Sequence, residues 1–264
     1  MIKLIITDLD GTLLKRGNQS LDASTLEKVE QLKRQGILFA AASGRQYPNM
    51  RRLFDYVGED MYYICENGSI IIHNEQEYCK KTMPKQVSLE LIQDILAVDG
   101  AEALISGART SYLMPKTESF YNRMANIVKN DITLVEDIHT VEEDFIKISM
   151  YMAGYERVPQ EINQRFREKY ENVLLPTDSG NGWLDFVPKG SSKGTAVSYL
   201  LEHLGITPEE VMIFGDHEND ISMLTLTDNS YIMAHSNDYM KQYAKHECVT
   251  VDEVLETMLE KVEM

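Results

Sequence analysis

The feature of this sequence that most restricts its fold is a set of short apolar runs that each end in small or polar residues. "LIITDLD" lies near the beginning, "ILFAAASGR" follows it, and "VMIFGD" lies late in the chain. Segments with apolar residues at helical spacing separate these runs. Strands that are apolar throughout and alternate with helices are typical of a parallel sheet covered on both faces. The sequence therefore predicts an α/β fold.

The pattern changes between residues 82 and 187. "FIKISMYM" alternates like a half-exposed strand, and "GWLDFVP" is a second predicted strand, whereas "LELIQDILA" and "PQEINQRFREKY" have helical spacing. Alternating strands are typical of an antiparallel sheet with one solvated face. We predict two domains, with a core formed by residues 1–81 and 188–264 and an α+β domain formed by residues 82–187 inserted into it.

Composition excludes several classes of partner. The 264 residues carry a formal net charge of −16, and no basic face or tail suggests binding to nucleic acid or to an anionic membrane. No segment approaches the roughly 20 apolar residues of a membrane span, and the first residues lack the uninterrupted apolar stretch of a signal peptide. The three cysteines have no metal-ligand spacing and predict reduced thiols in a cytoplasmic protein.

Polar residues whose side chains can bind a ligand or take part in a reaction follow the predicted strands. They are Asp8-x-Asp10, Ser43-Gly44-Arg45 and Gly215-Asp216-x-x-Asn219-Asp220, together with Lys193 at the start of a predicted helix. Ligands of open parallel sheets bind beyond the carboxyl ends of the strands, so these separate segments can converge on one site. The first turn of a helix also favours an anion, which suits a phosphate beside Lys193.

These residue types suit phosphoryl transfer. Mg²⁺ prefers oxygen ligands, and Asp8 and Asp216 are able to supply two of them. A carboxylate held near phosphorus can attack it in line, and a second acid can protonate the leaving oxygen and later deprotonate water. Ser43 and Lys193 are suited to hold the phosphate oxygens on which negative charge accumulates.

Four motifs carry a resemblance to a known family. "DLDGTLL", "AASGR", "SSKGTA" and "GDHENDISML" occur in this order and resemble the motifs of the haloacid dehalogenase (HAD) phosphatase superfamily. The insertion between the second and third motifs is similar to that of the Cof-type, class IIB branch. The resemblance implies a Rossmann-like core with helices on both faces and an inserted α+β cap with an antiparallel sheet that sets substrate specificity.

The resemblance also implies roles for individual residues. Asp8 matches the nucleophile, and Asp10 matches the general acid/base, whose backbone carbonyl also binds Mg²⁺. Asp216 matches a second metal-binding carboxylate, and Asp220 matches a residue that supports the metal. The matches at the phosphate and the substrate are Thr12, which shapes the turn after the nucleophile, Ser43, Gly44, Lys193 and Asn219, with Arg45 and Asn67 on the substrate side.

Two segments depart from the family pattern. Ala234 and His235 stand where the family commonly has Gly and Asn, and His217 follows Gly-Asp where a small or amide residue is commoner. Neither departure touches a predicted catalytic role. Both departures bear on substrate preference.

The leading hypothesis is a Mg²⁺-dependent phosphatase acting on a small phosphorylated metabolite through an aspartyl phosphate on Asp8. The resemblance implies sugar phosphates as the commonest substrates, with nucleotides and phosphorylated cofactors as further candidates. The sequence leaves the oligomeric state open, with a monomer as one candidate. A phosphomutase that transfers phosphate within a sugar is an alternative. A non-enzymatic phospho-aspartate signalling receiver is a third, but that module is far shorter, and its aspartate ends a middle strand. Considered alone, Asp8 and Asp10 are most simply explained as polar residues that solubilise the end of a strand. The Gly215-Asp216-x-x-Asn219-Asp220 motif late in the chain argues against this explanation.

Overall fold

The computed structural model describes residues 1–15, 18 and 20–262. The strands are β1 (Leu4–Asp8), β2 (Leu38–Ala42), β3 (Tyr62–Cys65), β4 (Ile70–His73), β5 (Gln76–Lys80), β6 (Ala101–Ser106), β7 (Ser111–Leu113), β8 (Ile132–Leu134), β9 (Lys147–Met152), β10 (Leu174–Gly180), β11 (Trp183–Pro188), β12 (Val211–Gly215), β13 (Ser230–Met233) and β14 (His246–Cys248). The helices are α1 (Ala23–Arg34), α2 (Tyr47–Leu53), α3 (Lys85–Leu96), α4 (Glu118–Asn122), α5 (Gln160–Tyr170), α6 (Lys193–Leu204), α7 (Ile221–Leu224), α8 (Asp238–Lys241) and α9 (Val251–Val262).

The chain divides into two compact units. The first unit contains residues 1–45, 50–78 and 192–264, and the second contains residues 46–49 and 79–191. The predicted assignment of a catalytic core and a specificity cap to particular residue ranges stays a prediction. Within the described residues, no helix is both long enough and apolar enough to cross a membrane.

An eight-stranded sheet forms the centre of the first unit. Its strand order is β14-β13-β12-β1-β2-β3-β4-β5. The pairs from β14 to β3 are parallel, and β3 pairs antiparallel with β4. All five residues of β1 are buried, as expected for a central strand covered on both faces. This order places the carboxyl ends of β1 and β12 side by side.

Helix α1 starts at Ala23, and its N-cap is Asp22. Asp22 has the extended backbone of an N-cap (φ −69°, ψ 144°). Val29 and Leu32 bury the apolar side of the helix.

The second unit contains a six-stranded sheet of order β10-β11-β9-β6-β7-β8. The pairs from β10 to β7 are antiparallel, in agreement with the predicted α+β module. One pair differs, because β8 lies parallel to β7. The chain returns through α4 and a π-helical turn, Arg123–Val128, before it enters β8, and this crossover permits the parallel pairing.

The two faces of this second sheet differ in chemistry. One face is apolar throughout and packs with side chains of α3 and α5, among them Leu91, Ile95 and Phe166. The other face is apolar only in part, where Phe120 and Met124 pack on Leu104 and Tyr151. The remainder of that second face is polar.

Candidate active site

Asp8 occupies the last position of β1 and is buried. The chain turns immediately after it, because Leu13 N–H donates to the Asp8 carbonyl (3.3 Å) and Leu14 N–H donates to the Leu9 carbonyl (2.8 Å). Gly11 has φ +91° in this turn, a conformation that glycine adopts without a steric cost. The turn leaves the Asp8 carboxylate at the end of the sheet.

Lys193 provides the positive charge beside Asp8. Its ammonium Nζ lies 2.6 Å from Oδ1 of Asp8 and 2.6 Å from Oδ1 of Asp220, and its side chain is fully buried. A capping box between Ser192 and Thr195 begins α6 at this residue. The two carboxylates outweigh the effect of burial and raise the pKa of Lys193, so the ammonium stays charged.

Asp216 and Asp220 follow the end of β12. Oδ2 of Asp220 accepts hydrogen bonds from the backbone N–H groups of Asp216 (2.9 Å) and His217 (3.0 Å). A Cβ at Gly215 would lie 2.6 Å from Cβ of Asp220, so a side chain at Gly215 would displace this aspartate. Ser236 donates a hydrogen bond from its hydroxyl to the Asp216 carbonyl (2.8 Å).

Asp8, Asp216 and Asp220 together form a carboxylate cluster. One oxygen from each lies within 4.8 Å of the others, and all three residues are buried. Oδ2 of Asp8 has no hydrogen-bond partner within the described part of the chain. Burial raises the pKa of Asp8 and of Asp216, and the neighbouring carboxylates add to the shift. A cluster of carboxylate oxygens fits a hard divalent cation such as Mg²⁺.

Asp10 lies outside this cluster and is paired with Arg45. Nε of Arg45 donates to Oδ2 of Asp10 (2.7 Å), and Nη2 donates to Oδ1 (2.5 Å). The pair is bidentate, which fixes the plane of the carboxylate. The Asp10 side chain is 55% exposed, so it is accessible to a substrate. The structure thus places Arg45 on the predicted acid/base and not only among substrate contacts.

Ser43 and Gly44 follow β2. Ser43 is buried, its N–H donates to the Ile64 carbonyl (2.9 Å), and its hydroxyl accepts from Arg45 N–H (3.2 Å). Gly44 lies against the Asn67 side chain. Asn67 in turn accepts a hydrogen bond from the Asn219 amide (3.2 Å). Three motifs distant in sequence are thereby connected.

Thr12 and His235 lie next to the segments that carry Asp8 and Asp216. Thr12 is buried in the turn after β1, and its hydroxyl has no hydrogen-bond partner among the described residues. His235, one of the departures from the family pattern, places Nε2 3.5 Å from Oδ2 of Asp216. This position next to a predicted metal ligand could not be inferred from the sequence, because no spacing connects the two residues.

The contact of Ser236 with Asp216 and the hydrogen bonds that Asp220 accepts were not predicted from the sequence. Ser236 supports Asp216 through the backbone, and no motif marks it. Asp220 was predicted as a metal-supporting residue, and both its oxygens already accept hydrogen bonds from Lys193 and from the β12 turn. The capping pattern of the short helical turn Glu218–Asp220 is the sequence signal that would have indicated the second contact.

The fold and site together define a hydrolase class with carboxylates at the ends of adjacent parallel strands. The chain belongs to the haloacid dehalogenase-like hydrolases, whose family model matches residues 5–256. The resemblance inferred from the four motifs and the predicted α/β core with an inserted α+β region are therefore confirmed.

Individual relatives agree with this placement. The chain is 25% identical over 245 residues to 5-amino-6-(5-phospho-D-ribitylamino)uracil phosphatase YbjI of Escherichia coli K12, covering 93% of this chain and 90% of that protein. A crystal structure from Eubacterium rectale is 26% identical with a TM-score of 0.86, over 97% of this chain and 99% of the other. The HAD subclass IIB sugar phosphatase BT4131 shares the fold with 21% identity and a TM-score of 0.81, over 99% and 100% of the two chains. The prediction that the protein is an enzyme of the HAD-like phosphatase class is confirmed by the family match and by relatives that are named phosphatases.

Proposed function

We propose that this protein is a Mg²⁺-dependent phosphatase that hydrolyses a small phosphorylated metabolite through an aspartyl phosphate on Asp8. The observation that carries the proposal is the buried cluster of Asp8, Asp216 and Asp220, in which the carboxylates of Asp8 and Asp220 contact the Lys193 ammonium. A structural role alone would not require three buried carboxylates at one place, because each carries a desolvation penalty.

Asp8 is the proposed nucleophile. Lys193 holds Oδ1 at 2.6 Å and so fixes the rotamer of the carboxylate. The other oxygen, Oδ2, is buried and has no partner within the described residues, which leaves it available to attack phosphorus in line. The Lys193 ammonium also stabilises negative charge on the phosphoryl oxygens, and the Ser43 hydroxyl is positioned at the end of the neighbouring strand for the same task.

Asp10 is the proposed general acid and base. Its carboxyl group would protonate the leaving oxygen of the ester in the first step. In the second step its carboxylate would remove a proton from the water that attacks the aspartyl phosphate. The bidentate contact with Arg45 holds the Asp10 carboxylate in one orientation. The carboxylate therefore stays close to the geometry that proton transfer requires.

Mg²⁺ would be held by the Asp8 and Asp216 carboxylates and the Asp10 backbone carbonyl, and when bound it neutralises charge on the phosphoryl group. Asp220 supports these metal-binding groups and is not itself assigned as a ligand. Both of its oxygens are occupied by hydrogen bonds from Lys193 and the β12 turn, so it orients the other groups.

The proposed substrate is a phosphate monoester of a small molecule, with sugar phosphates first. The names of YbjI and BT4131 support this class, since each refers to a phosphorylated small molecule or a sugar phosphate as the substrate of that protein. A cytoplasmic location, as predicted from the sequence, belongs to the same proposal.

The test is a screen of phosphorylated metabolites with the full chain and Mg²⁺, in which released phosphate is measured. We expect hydrolysis of several sugar and sugar-alcohol phosphates, and none by Asp8→Asn. Absence of phosphate release from every ester, with a folded protein and saturating Mg²⁺, would refute the proposal. Isomerised substrate without phosphate release would instead identify a phosphomutase.

A further inference from the structure

Three consecutive residues directly after β3 have a left-handed backbone. Their φ angles are +51° at Glu66, +56° at Asn67 and +90° at Gly68. Glycine adopts this region without a steric cost and asparagine tolerates it, but a glutamate there is strained. Such strain persists only where the surrounding structure enforces it, and it is concentrated at functional sites. We term these three residues the left-handed turn.

The left-handed turn is buried and lies wholly within the first unit. Glu66 is 2% exposed and Asn67 is 7% exposed. Polar side chains with so little exposure cost free energy unless they are hydrogen-bonded. The turn therefore combines backbone strain with buried polar groups, and stability alone favours neither property.

The left-handed turn contacts the whole Ser43-Gly44-Arg45 motif. The backbone N–H of Asn67 donates to the Ser43 carbonyl (3.0 Å), and the backbone N–H of Glu66 donates to the Arg45 carbonyl (3.1 Å). A Cβ at Gly44 would lie 3.1 Å from Oδ1 of Asn67, so the Asn67 side chain lies directly against the Gly44 backbone. The motif is thus held at both ends by hydrogen bonds and in the middle by a side chain.

The same turn reaches two further segments of the site. The side-chain amide of Asn219, in the turn after β12, donates from Nδ2 to Oδ1 of Asn67 (3.2 Å). A Cβ at Gly68 would overlap the Ser192 carbonyl oxygen and lie 3.0 Å from the backbone nitrogen of Lys193. Only glycine therefore fits against the start of α6. The left-handed turn is in contact with all three segments that follow the first aspartate motif in the chain.

We infer that Asn67 is a positioning residue for phosphate binding, which acts through Ser43, Gly44 and Asn219 and not by contact with the substrate. The inference rests on the proposed phosphatase function. Its backbone holds Ser43, whose hydroxyl is proposed to bind a phosphoryl oxygen, and its side chain holds Gly44 and Asn219. Donors to a phosphoryl group are effective because their geometry is fixed before the reaction, so a small displacement lowers kcat.

The test removes the Asn67 amide and keeps its backbone conformation. Asn67→Gly does this in the full chain, since glycine adopts φ +56° freely. We expect kcat for the best phosphate ester to fall about tenfold, and the Kd of inorganic phosphate, measured by calorimetry with Mg²⁺, to rise about tenfold. Asn74→Gly is the matched control, because Asn74 also has a positive φ (+49°) but is exposed in the turn between β4 and β5. It should leave both values unchanged.

A double-mutant cycle separates positioning from a general effect on the fold. Asn219→Ala should also lower kcat, but by less when Asn67→Gly is already present, because the two side chains share one hydrogen bond. A merely structural role would lower the urea midpoint and leave kcat and phosphate affinity of the folded variant unchanged. That result, or losses in Asn67→Gly no greater than those in Asn74→Gly, would overturn the inference.

Hydrogen exchange provides a measurement that needs no turnover. Backbone amides of residues 43–45, followed by NMR, should exchange about tenfold faster in Asn67→Gly than in wild type, and Asn74→Gly should not change them. If wild type releases no phosphate from any ester, the proposed function fails. Unchanged exchange of residues 43–45 in Asn67→Gly overturns this inference separately, because the residue then does not hold the motif in place.

Discussion

The ammonium of Lys193 lies 2.6 Å from Oδ1 of Asp8, although the two residues are 185 positions apart in the chain. Both side chains are buried, so the charge of each is weakly screened by water. Because the same ammonium also contacts Asp220, one lysine aligns carboxylates from the ends of two neighbouring strands. The consequences of this arrangement can be measured.

Replacing Asp8 by Asn should abolish turnover and retain the fold. The amide is nearly the size of the carboxylate but is a poor nucleophile, so kcat should fall by at least about a thousandfold. Steady-state phosphate release measures the loss of turnover, and circular dichroism measures whether the fold is retained. Asp228→Asn is the control, since its side chain is 92% exposed, and it should behave like wild type. Retained activity in Asp8→Asn would remove the assigned nucleophile.

Replacing Lys193 by Met should destabilise the protein as well as reduce kcat. The change leaves buried carboxylates without their cation, a loss of about 3 kcal/mol in the free energy of unfolding. Urea unfolding of the variant measures this loss. Lys245→Met, at a lysine that is 63% exposed and pairs with Asp228 at the surface, should cost far less. Equal stability of the two variants would contradict the structural role of Lys193.

Magnesium should raise the thermal midpoint of the wild-type protein. At a free concentration of 100 times Kd, binding to the folded state adds about 2.7 kcal/mol to its stability. Asp216→Asn should lose most of this increase, because it removes a carboxylate from the cluster. Calorimetry with and without a chelator measures the effect, and Asp228→Asn should retain it. An identical Mg²⁺ response in Asp216→Asn would place the cation elsewhere.

Replacing Arg45 by Ala should reduce kcat more than it changes KM. Arg45 holds the Asp10 carboxylate by two hydrogen bonds, and loss of this orientation should lower kcat at least about tenfold. Arg45→Lys should restore part of the rate, since a lysine keeps the charge but not the bidentate contact. Arg34→Ala, which removes a surface pair with Glu30, is the control. A change confined to KM would assign Arg45 to substrate binding alone.

The Tyr170–Asp94 contact in the second unit should make stability depend on pH. Burial alone would raise the pKa of Asp94, but hydrogen bonds from Lys169 and Tyr170 lower it below its usual value. A lowered pKa contributes stability above the unfolded value near 4, and this is lost as the pH falls through the folded value. Tyr170→Phe should therefore lower the free energy of unfolding by about 1 kcal/mol at pH 7, a value that allows for the partial exposure of Asp94. The loss should be smaller at pH 3.

Urea unfolding at the two pH values checks this last expectation. Tyr56→Phe is the control, because Tyr56 is exposed and its loss should have little effect at either pH. A destabilisation by Tyr170→Phe that is the same at pH 7 and pH 3 would show that the Asp94 charge makes no contribution.

Much of the first unit could be predicted from local patterns. The apolar runs around β1, β2 and β12 and the helical spacing of α6 identified these elements and the strand ends that carry Asp8, Ser43 and Asp216. Other elements could not be predicted. β8 has only three residues and no buried position, so no alternation marks it as a strand. Its parallel pairing with β7 depends on the whole path of the chain through α4.

The sequence by itself determined the α/β class, the residue types of the site and the order in which its motifs occur, because periodicity and spacing are local properties of a chain. Only the tertiary structure decided which side chains meet. The pairs Arg45 with Asp10 and Asn219 with Asn67 join residues 35 and 152 positions apart, and Lys193 reaches two carboxylates at once. These contacts depend on strand order and rotamers, which are set by the packing of the whole unit and by the cost of leaving buried charges unpaired.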